Sequence, residues 1–203
     1  MGLYKQVDRA SLDQLIEFWN GEVPEWADSK ESLLEEIAFV LAQKGEDGVT
    51  FLKFYGQDTD NEKRKAAIIF LADKRILDAE ILSYLKNALD AEDTGLKSKA
   101  LWGYLRIEQY PMPRIELEKL ITHSDQRLSA LAMVCLNRSN PAESLDILAN
   151  ALYSVNPRHR EFACDEIGDR GIAELEPQLK ELLEDTDEYV RQAARYNLEM
   201  LHD

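Results

Sequence analysis

The chain has 203 residues, with 39 Asp and Glu against 24 Lys and Arg, and a formal net charge of -15 at pH 7. That length can bury one large core without help from disulfides or metal. A surface this acidic repels phosphate backbones, because nucleic-acid affinity rests largely on Lys and Arg displacing condensed counterions; the charge serves solubility and equally the attraction of a basic protein partner. No apolar run approaches the roughly 18 residues of a membrane span, and the start MGLYKQVDRASLDQL lacks the apolar core of a signal peptide. A cytoplasmic protein is expected, with neither nucleic acid nor membrane as a ligand.

In chain order, the segments Leu12 to Trp19 and Leu33 to Ala42 read as a first, irregular pair of amphipathic helices, a capping repeat over residues 1–44. Trp19 and Trp26 flank Gly21 and Pro24 in its turn and are expected to lock that turn. Residues 45–203 then carry five more regular repeats. Their first helices run over Val49 to Tyr55, Ile81 to Leu89, Ile115 to Ile121, Leu145 to Leu152 and Leu175 to Leu183, with apolar residues recurring at three and four. Each is followed by a second helix aligned on a small residue: Ala67, Ala100, Ala130, Ala163 and Ala194. A base stands three residues before each alanine, at Arg64, Lys97, Arg127, Arg160 and Arg191, and an apolar residue four after it.

Seven residues before each alanine stands Asp60, Asp93, His123, Asn156 or Asp187. An Asp or Asn there can accept an orphan backbone N–H at a helix start, and beside the weak His123 either Ser124 or Asp125 can cap instead. The prolines at 111, 113, 141, 157 and 177 fall between helices or near their starts. No segment alternates as a strand does. The whole chain is therefore expected to be one all-α domain, a stack of about six antiparallel helix pairs.

These residues resemble HEAT-like repeats, in particular the short variety of phycobilisome-lyase-type HEAT proteins. The last repeat, LEPQLKELLEDTDEYVRQAARYNLEML, carries the resemblance best, through Asp187, Val190, Arg191, Ala193, Ala194 and Leu198. The resemblance implies a right-handed α-solenoid, with second helices lining a concave surface and a ladder of polar contacts between repeats. It says little about activity, since such repeats serve scaffolds, accessory factors, lyases and inhibitors. A bilin lyase or tetrapyrrole-handling factor is the enzyme-class alternative, on repeat length alone. A HEAT-like DNA glycosylase would need a basic groove.

Motifs for chemistry are sparse. His123, His159 and His202 stand apart from any nucleophile motif, and His159 near a helix start reads as solvated. Cys135 and Cys164, without CxxC or Cys/His spacing, read as buried small hydrophobes. The Asp60/Arg64, Asp93/Lys97 and Asp187/Arg191 spacings suggest ion pairs one turn apart. Lys63-Arg64-Lys65 reads as a solvated face, and Gly45/Gly48 and Gly168/Gly171 read as turn residues that end helices. No cofactor, metal or catalytic residue is expected.

At 100° per residue, the position two after each alanine points almost opposite the core. That row is Ile69, Trp102, Ala132, Asp165 and Tyr196, and flanking rows add Leu128, Glu161, Arg106, Leu136 and Asp169. Aromatic side chains in the middle of a surface are frequent binding anchors. The partner-binding candidates are accordingly Ile69, Trp102, Arg106, Leu128, Glu161, Asp165, Asp169 and Tyr196. They suit a non-catalytic module that binds another protein with apolar and basic contact regions, such as a bacterial immunity protein inhibiting a basic nuclease toxin. Thirteen acids against three bases between Asp13 and Glu62 make the amino-terminal repeats the most acidic part.

Overall fold

The computed structural model describes residues 7, 10–25, 27–73, 76–107 and 112–202. Trp26 and Pro111 lie outside the described residues. Those residues contain helices and no strand. We label the helices α1 (Leu12–Asn20), α2 (Lys30–Ala42), α3 (Glu46–Tyr55), α4 (Asn61–Leu71), α5 (Ala79–Leu89), α6 (Thr94–Ile107), α7 (Arg114–Ile121), α8 (Gln126–Ser139), α9 (Ser144–Leu152), α10 (Pro157–Asp169), α11 (Glu176–Glu181) and α12 (Glu188–Met200). Short 3-10 turns at Ala173–Leu175 and Leu182–Glu184 flank α11, so the continuous helix expected there is broken into three pieces. The chain divides into two compact units, residues 1–107 and 108–203, each built of helix pairs. In the first unit α2, α4 and α6 pack in succession, and in the second α8, α10 and α12 do the same, each beside its own first helix.

The register of small residues explains this stacking. Ala38, Ala67, Ala100, Ala130, Ala163 and Ala194 are all fully buried, where they face the neighbouring helices. Replacing the methyl by a larger group would push the axes apart, since the interaxial distance depends on the side chains at the contact. Gly48 and Gly168 serve the same close approach. A Cβ on Gly168 would fall 2.0 Å from Asn197 Oδ1, and one on Gly48 would fall 2.0 Å from the Leu41 carbonyl oxygen. Both lie inside helices instead of ending them; among the described residues, Gly45 and Gly171, at φ 75° and 63°, occupy turn conformations that favour glycine.

Helix starts are capped as expected. Asp60, Asn156 and Asp187 accept backbone N–H groups of α4, α10 and α12, Asp93 accepts the Leu96 N–H, and Asp125 caps α8 in place of His123. The bases three before the alanines do not pair with those acids. Lys97 donates to the Leu89 carbonyl at 2.7 Å, Arg160 to the Ser154 carbonyl at 2.7 Å, and Arg191 to the Asp185 carbonyl at 2.6 Å. Each thus satisfies a carbonyl at the end of the preceding helix or just beyond it, which a side chain one turn away could not do. The acids turn to the neighbouring repeat. Lys30 binds Asp60 at 3.0 Å and Lys65 binds Asp93 at 3.1 Å. Lys63 reaches Asn20 and lies over the Tyr55 ring, so Lys63 and Lys65 of the Lys63-Arg64-Lys65 run are engaged within the fold. Trp19 belongs to that core as well, packed on Phe51 and Tyr55 and 1% exposed.

The second unit contains two chains of polar side chains. Glu166, almost wholly buried, accepts from Asn137 and pairs with Arg138, while Ser144 donates to Asn137 and accepts from Arg170. His159 is buried, not solvated. Ser129 donates to the Ile121 carbonyl and so accepts from His159 Nε2–H at 2.7 Å, and Ser154 donates to Nδ1 at 3.1 Å. The neutral imidazole satisfies both neighbours, and it is the local packing around the start of α10 that removes it from water. Both thiols are buried too, and burial pushes the Cys164 pKa up to about 12.

Two outcomes follow. Ala163→Glu should place an unpaired charge where α10 meets its neighbours and destabilise the chain by roughly 3 kcal/mol or more, read by thermal or urea melts. Burial lowers the His159 pKa below its ordinary 6.5. The unfolded chain therefore takes up the proton first, so the stability that neutral His159 contributes is present above pH 6.5 and lost as pH falls below it. His159→Gln, which keeps one donor and one acceptor, should flatten that part of the stability profile.

Candidate functional site

In the first unit the outward row survives as an open surface. Trp102 projects from α6 and is 49% exposed, held there because Leu101 and Gly103 on either side are buried against the core. Arg106, one turn later, is exposed and donates to the Ile69 carbonyl at 2.8 Å while lying over the Phe70 ring at 5.9 Å. Ile69 is half-buried. The structure thus joins Ile69 and Arg106 directly, in the region that also carries Trp102.

It adds residues that the sequence row passed over. Phe39 of α2, 49% exposed, meets Phe70 of α4 edge to face at 5.8 Å. They line a cleft of about 370 Å³ together with Ser32, Glu35 and Glu36. Lys99 of α6 reaches across to α2, where it pairs with Glu35 and lies 3.8 Å from Glu31. Phe39 follows Ala38 by one and Phe70 follows Ala67 by three, so they flank the position two after each alanine. A reading of that single row could not find them, although the aromatic character of both was visible.

In the second unit the outcome is divided. Tyr196 is 61% exposed and Asp169 is exposed; Glu161 and Asp165 are half-buried. Leu128 is not a surface residue: it is 1% exposed, and Ala132 and Leu136 of the same helix are buried with it. The physical reason is in the composition of α8. From Leu128 to Leu136 only Ser129 is polar, and a helix that is apolar all round is enclosed on every side, so no outward row is left.

The acids of α10 are not equivalent. Glu161 is paired with Arg158, which also lies over the Tyr189 ring at 5.2 Å. Asp165 accepts from Asn197 at 2.8 Å, a contact between α10 and α12 that continues the ladder between repeats. Its carboxyl is held above the ordinary carboxylate range by burial and by the negative charges of Glu161, Asp169 and Glu166, against which the Asn197 hydrogen bond works. Among the described residues no group of three or more His, Cys, Asp and Glu is placed to hold a metal ion, and no helix is long and apolar enough to cross a membrane.

Comparison with known proteins agrees with this architecture. The family model for HEAT repeats matches residues 116–199. Among solved structures, the chain is similar to the crystal structure of an engineered protein, at 17% sequence identity and a TM-score of 0.52, over 97% of this chain and 69% of that one. That likeness concerns the fold alone. No curated protein matches the chain. The match to the HEAT-repeat model thus runs from within α7 to the last turn of α12.

Proposed function

We propose that the chain is a non-catalytic interaction module that binds a partner protein through the exposed positions of its second helices. The observation that carries this reading is Trp102, a large aromatic side chain left half in water at the position two after its register alanine, on a helix whose other apolar residues are buried. A soluble protein gains nothing in its own stability from such an exposed ring, whereas a ring that is desolvated on binding is a frequent hot spot. Tyr196 holds the matching position of α12 in the second unit. The net charge of -15 favours a basic partner, which it would steer toward the complex by long-range attraction. Within this class, an acidic inhibitor of a basic protein, of the immunity-protein kind, suits both size and charge.

Asp165 supports the same reading from the side of energetics. It stands near three other carboxylates, whose negative charge disfavours its ionised form together with burial, an arrangement that costs stability and that a cationic partner would relieve. Because its folded pKa is raised, the ionised form is disfavoured in the folded chain above the ordinary carboxylate range, and the cost disappears as pH falls far enough to protonate Asp165 in both states. Asp165→Asn keeps the acceptor for Asn197 and should therefore raise Tm at pH 7, with the gain shrinking toward pH 4.

The direct test begins with affinity purification of the native complex and identification of what elutes. Trp102→Ala should then mainly speed dissociation, weakening binding by about 2 kcal/mol. Asp165→Lys and Asp169→Lys should mainly slow association, and the wild-type affinity should fall with added salt. Surface plasmon resonance separates the two effects, and wild-type kinetics in both sets of variants would move the interface elsewhere. Incubation with a bilin and a phycobiliprotein should yield no covalent pigment; its appearance would place the chain with the lyases instead.

A further inference from the structure

We propose that the surface of the second unit shared by α10 and α12 docks an amphipathic helix of the partner, one that carries apolar residues along one edge and Lys or Arg along the next. The proposal rests on the interaction-module reading above and names the segment that this surface would recognise.

The apolar part is a stripe of α12. Tyr189, Ala193, Tyr196 and Met200 follow one another at four, three and four residues, so they share one face about 16 Å long. The three large side chains are 45–61% exposed, although Val190, Ala194, Asn197 and Leu198 of the same helix are buried. Ala193 leaves a gap between the two tyrosines, and with Gln192 these residues frame a four-cornered hole of the kind that receives a knob from a facing helix. The stripe advances about 5.5 Å per member, which matches the pitch of a helix laid along it better than the ~6.6 Å between same-face residues of a strand.

Beside the stripe runs a row of acids on α10: Glu161, Asp165 and Asp169, each one turn from the next. Two contacts hold row and stripe side by side. Arg158 lies over the Tyr189 ring at 5.2 Å, and Asn197 donates to Asp165 at 2.8 Å. The offset along the chain is 31 residues for the first pair and 32 for the second, so the two helices run parallel and in step.

This surface stays negative after each ion pair is counted. Glu161 is met by Arg158, and Glu166 by Arg138. Asp165 meets a neutral amide, that of Asn197. Asp169 is exposed, with no hydrogen bond or ion pair among the described residues, and the basic group its charge reaches, Arg138, is held by Glu166. On the other flank of the stripe Glu188, Arg195 and Glu199 leave one more negative charge. Burial and the surrounding carboxylates hold the Asp165 carboxyl above the ordinary range, as expected where no cation faces it. A docked helix would set its Lys or Arg over Asp165 and Asp169 while its apolar edge covers the stripe. An acidic helix, or the same surface of a second copy, would bring like charges together.

Three fluorescently labelled peptides of equal length test this on the full chain: one that places Leu and Lys on adjacent edges of a helix, one with Glu for each Lys, and one with the first peptide's residues in an order that breaks the helical period. The first should bind at least ~10-fold more tightly than either of the others by anisotropy, and should gain helical circular dichroism on binding. Tyr196→Ser, at an exposed position, should weaken it at least ~10-fold. Asp169→Lys should weaken it more than Glu174→Lys, which makes the same change of charge at an exposed acid of the turn before α11; attraction by net charge alone would weaken both equally. Equal binding of the Glu or reordered peptide, binding without gain of helix, indifference to Tyr196→Ser, or equal effects of the two Lys variants overturns the assignment. So does a concentration-dependent dimer that excludes the peptide and is lost in Tyr196→Ser. If the assignment fails while the native partner still depends on Trp102, the module reading stands; a native partner indifferent to Trp102, Tyr196, Asp165 and Asp169 overturns that reading as well.

Discussion

The close approach of the second helices is the constraint on which the rest of the structure depends. A fully buried alanine marks that contact in each repeat, from Ala38 to Ala194, and glycine appears where even a methyl is too large, as at Gly168 beneath Asn197. Because the helices are so near, polar side chains elsewhere along them reach the next repeat. Lys30 meets Asp60, Lys65 meets Asp93 and Asn197 meets Asp165, each at about 3 Å. The stacking thus places polar groups of different repeats in hydrogen-bond range, and those bonds in turn fix the rotation of each helix about its axis.

Satisfying buried polar groups accounts for most of the remaining pattern. The cap at the start of α4, α8, α10 and α12 belongs to the orphan N–H groups of its own helix, and Lys97, Arg160 and Arg191 belong to carbonyls at or just beyond the end of the helix before. In the second unit the same requirement produces the Ser129, His159 and Ser154 chain and the Asn137 and Glu166 network. A neutral histidine with a donor on one side and an acceptor on the other is one arrangement that leaves no polar atom wanting.

What the fold leaves over is informative about function. Residues that serve stacking are buried or bonded; Trp102, Phe39 and Tyr196 are large, aromatic and open to water, and Asp165 is held among like charges. Such features contribute little to the stability of the chain itself, and the proposed interaction rests on them. In the second unit Tyr196 precedes Asn197, which binds Asp165, so apolar and ionic recognition are available on one surface.

The sequence by itself determined the helix pairs, their register and their caps, because each of these is local. The alanine period, the Asp or Asn at helix starts and the apolar recurrence are set within one turn or one repeat, and the structure returned them nearly unchanged. It also determined that Trp102 and Tyr196 face outward, since 100° per residue suffices for that. Only the tertiary structure decided which outward positions stay open. Leu128 lies in a row that geometry on one helix points away from the core, yet α8 is enclosed on every side, and His159 is buried by packing around the start of α10 that no local rule contains. The partners of the charged residues were decided there as well. An acid and a base one turn apart compete with carbonyls six to eight residues back and with charged groups some thirty residues distant, and which one wins depends on how closely two helices approach, a distance that a single chain of letters does not carry.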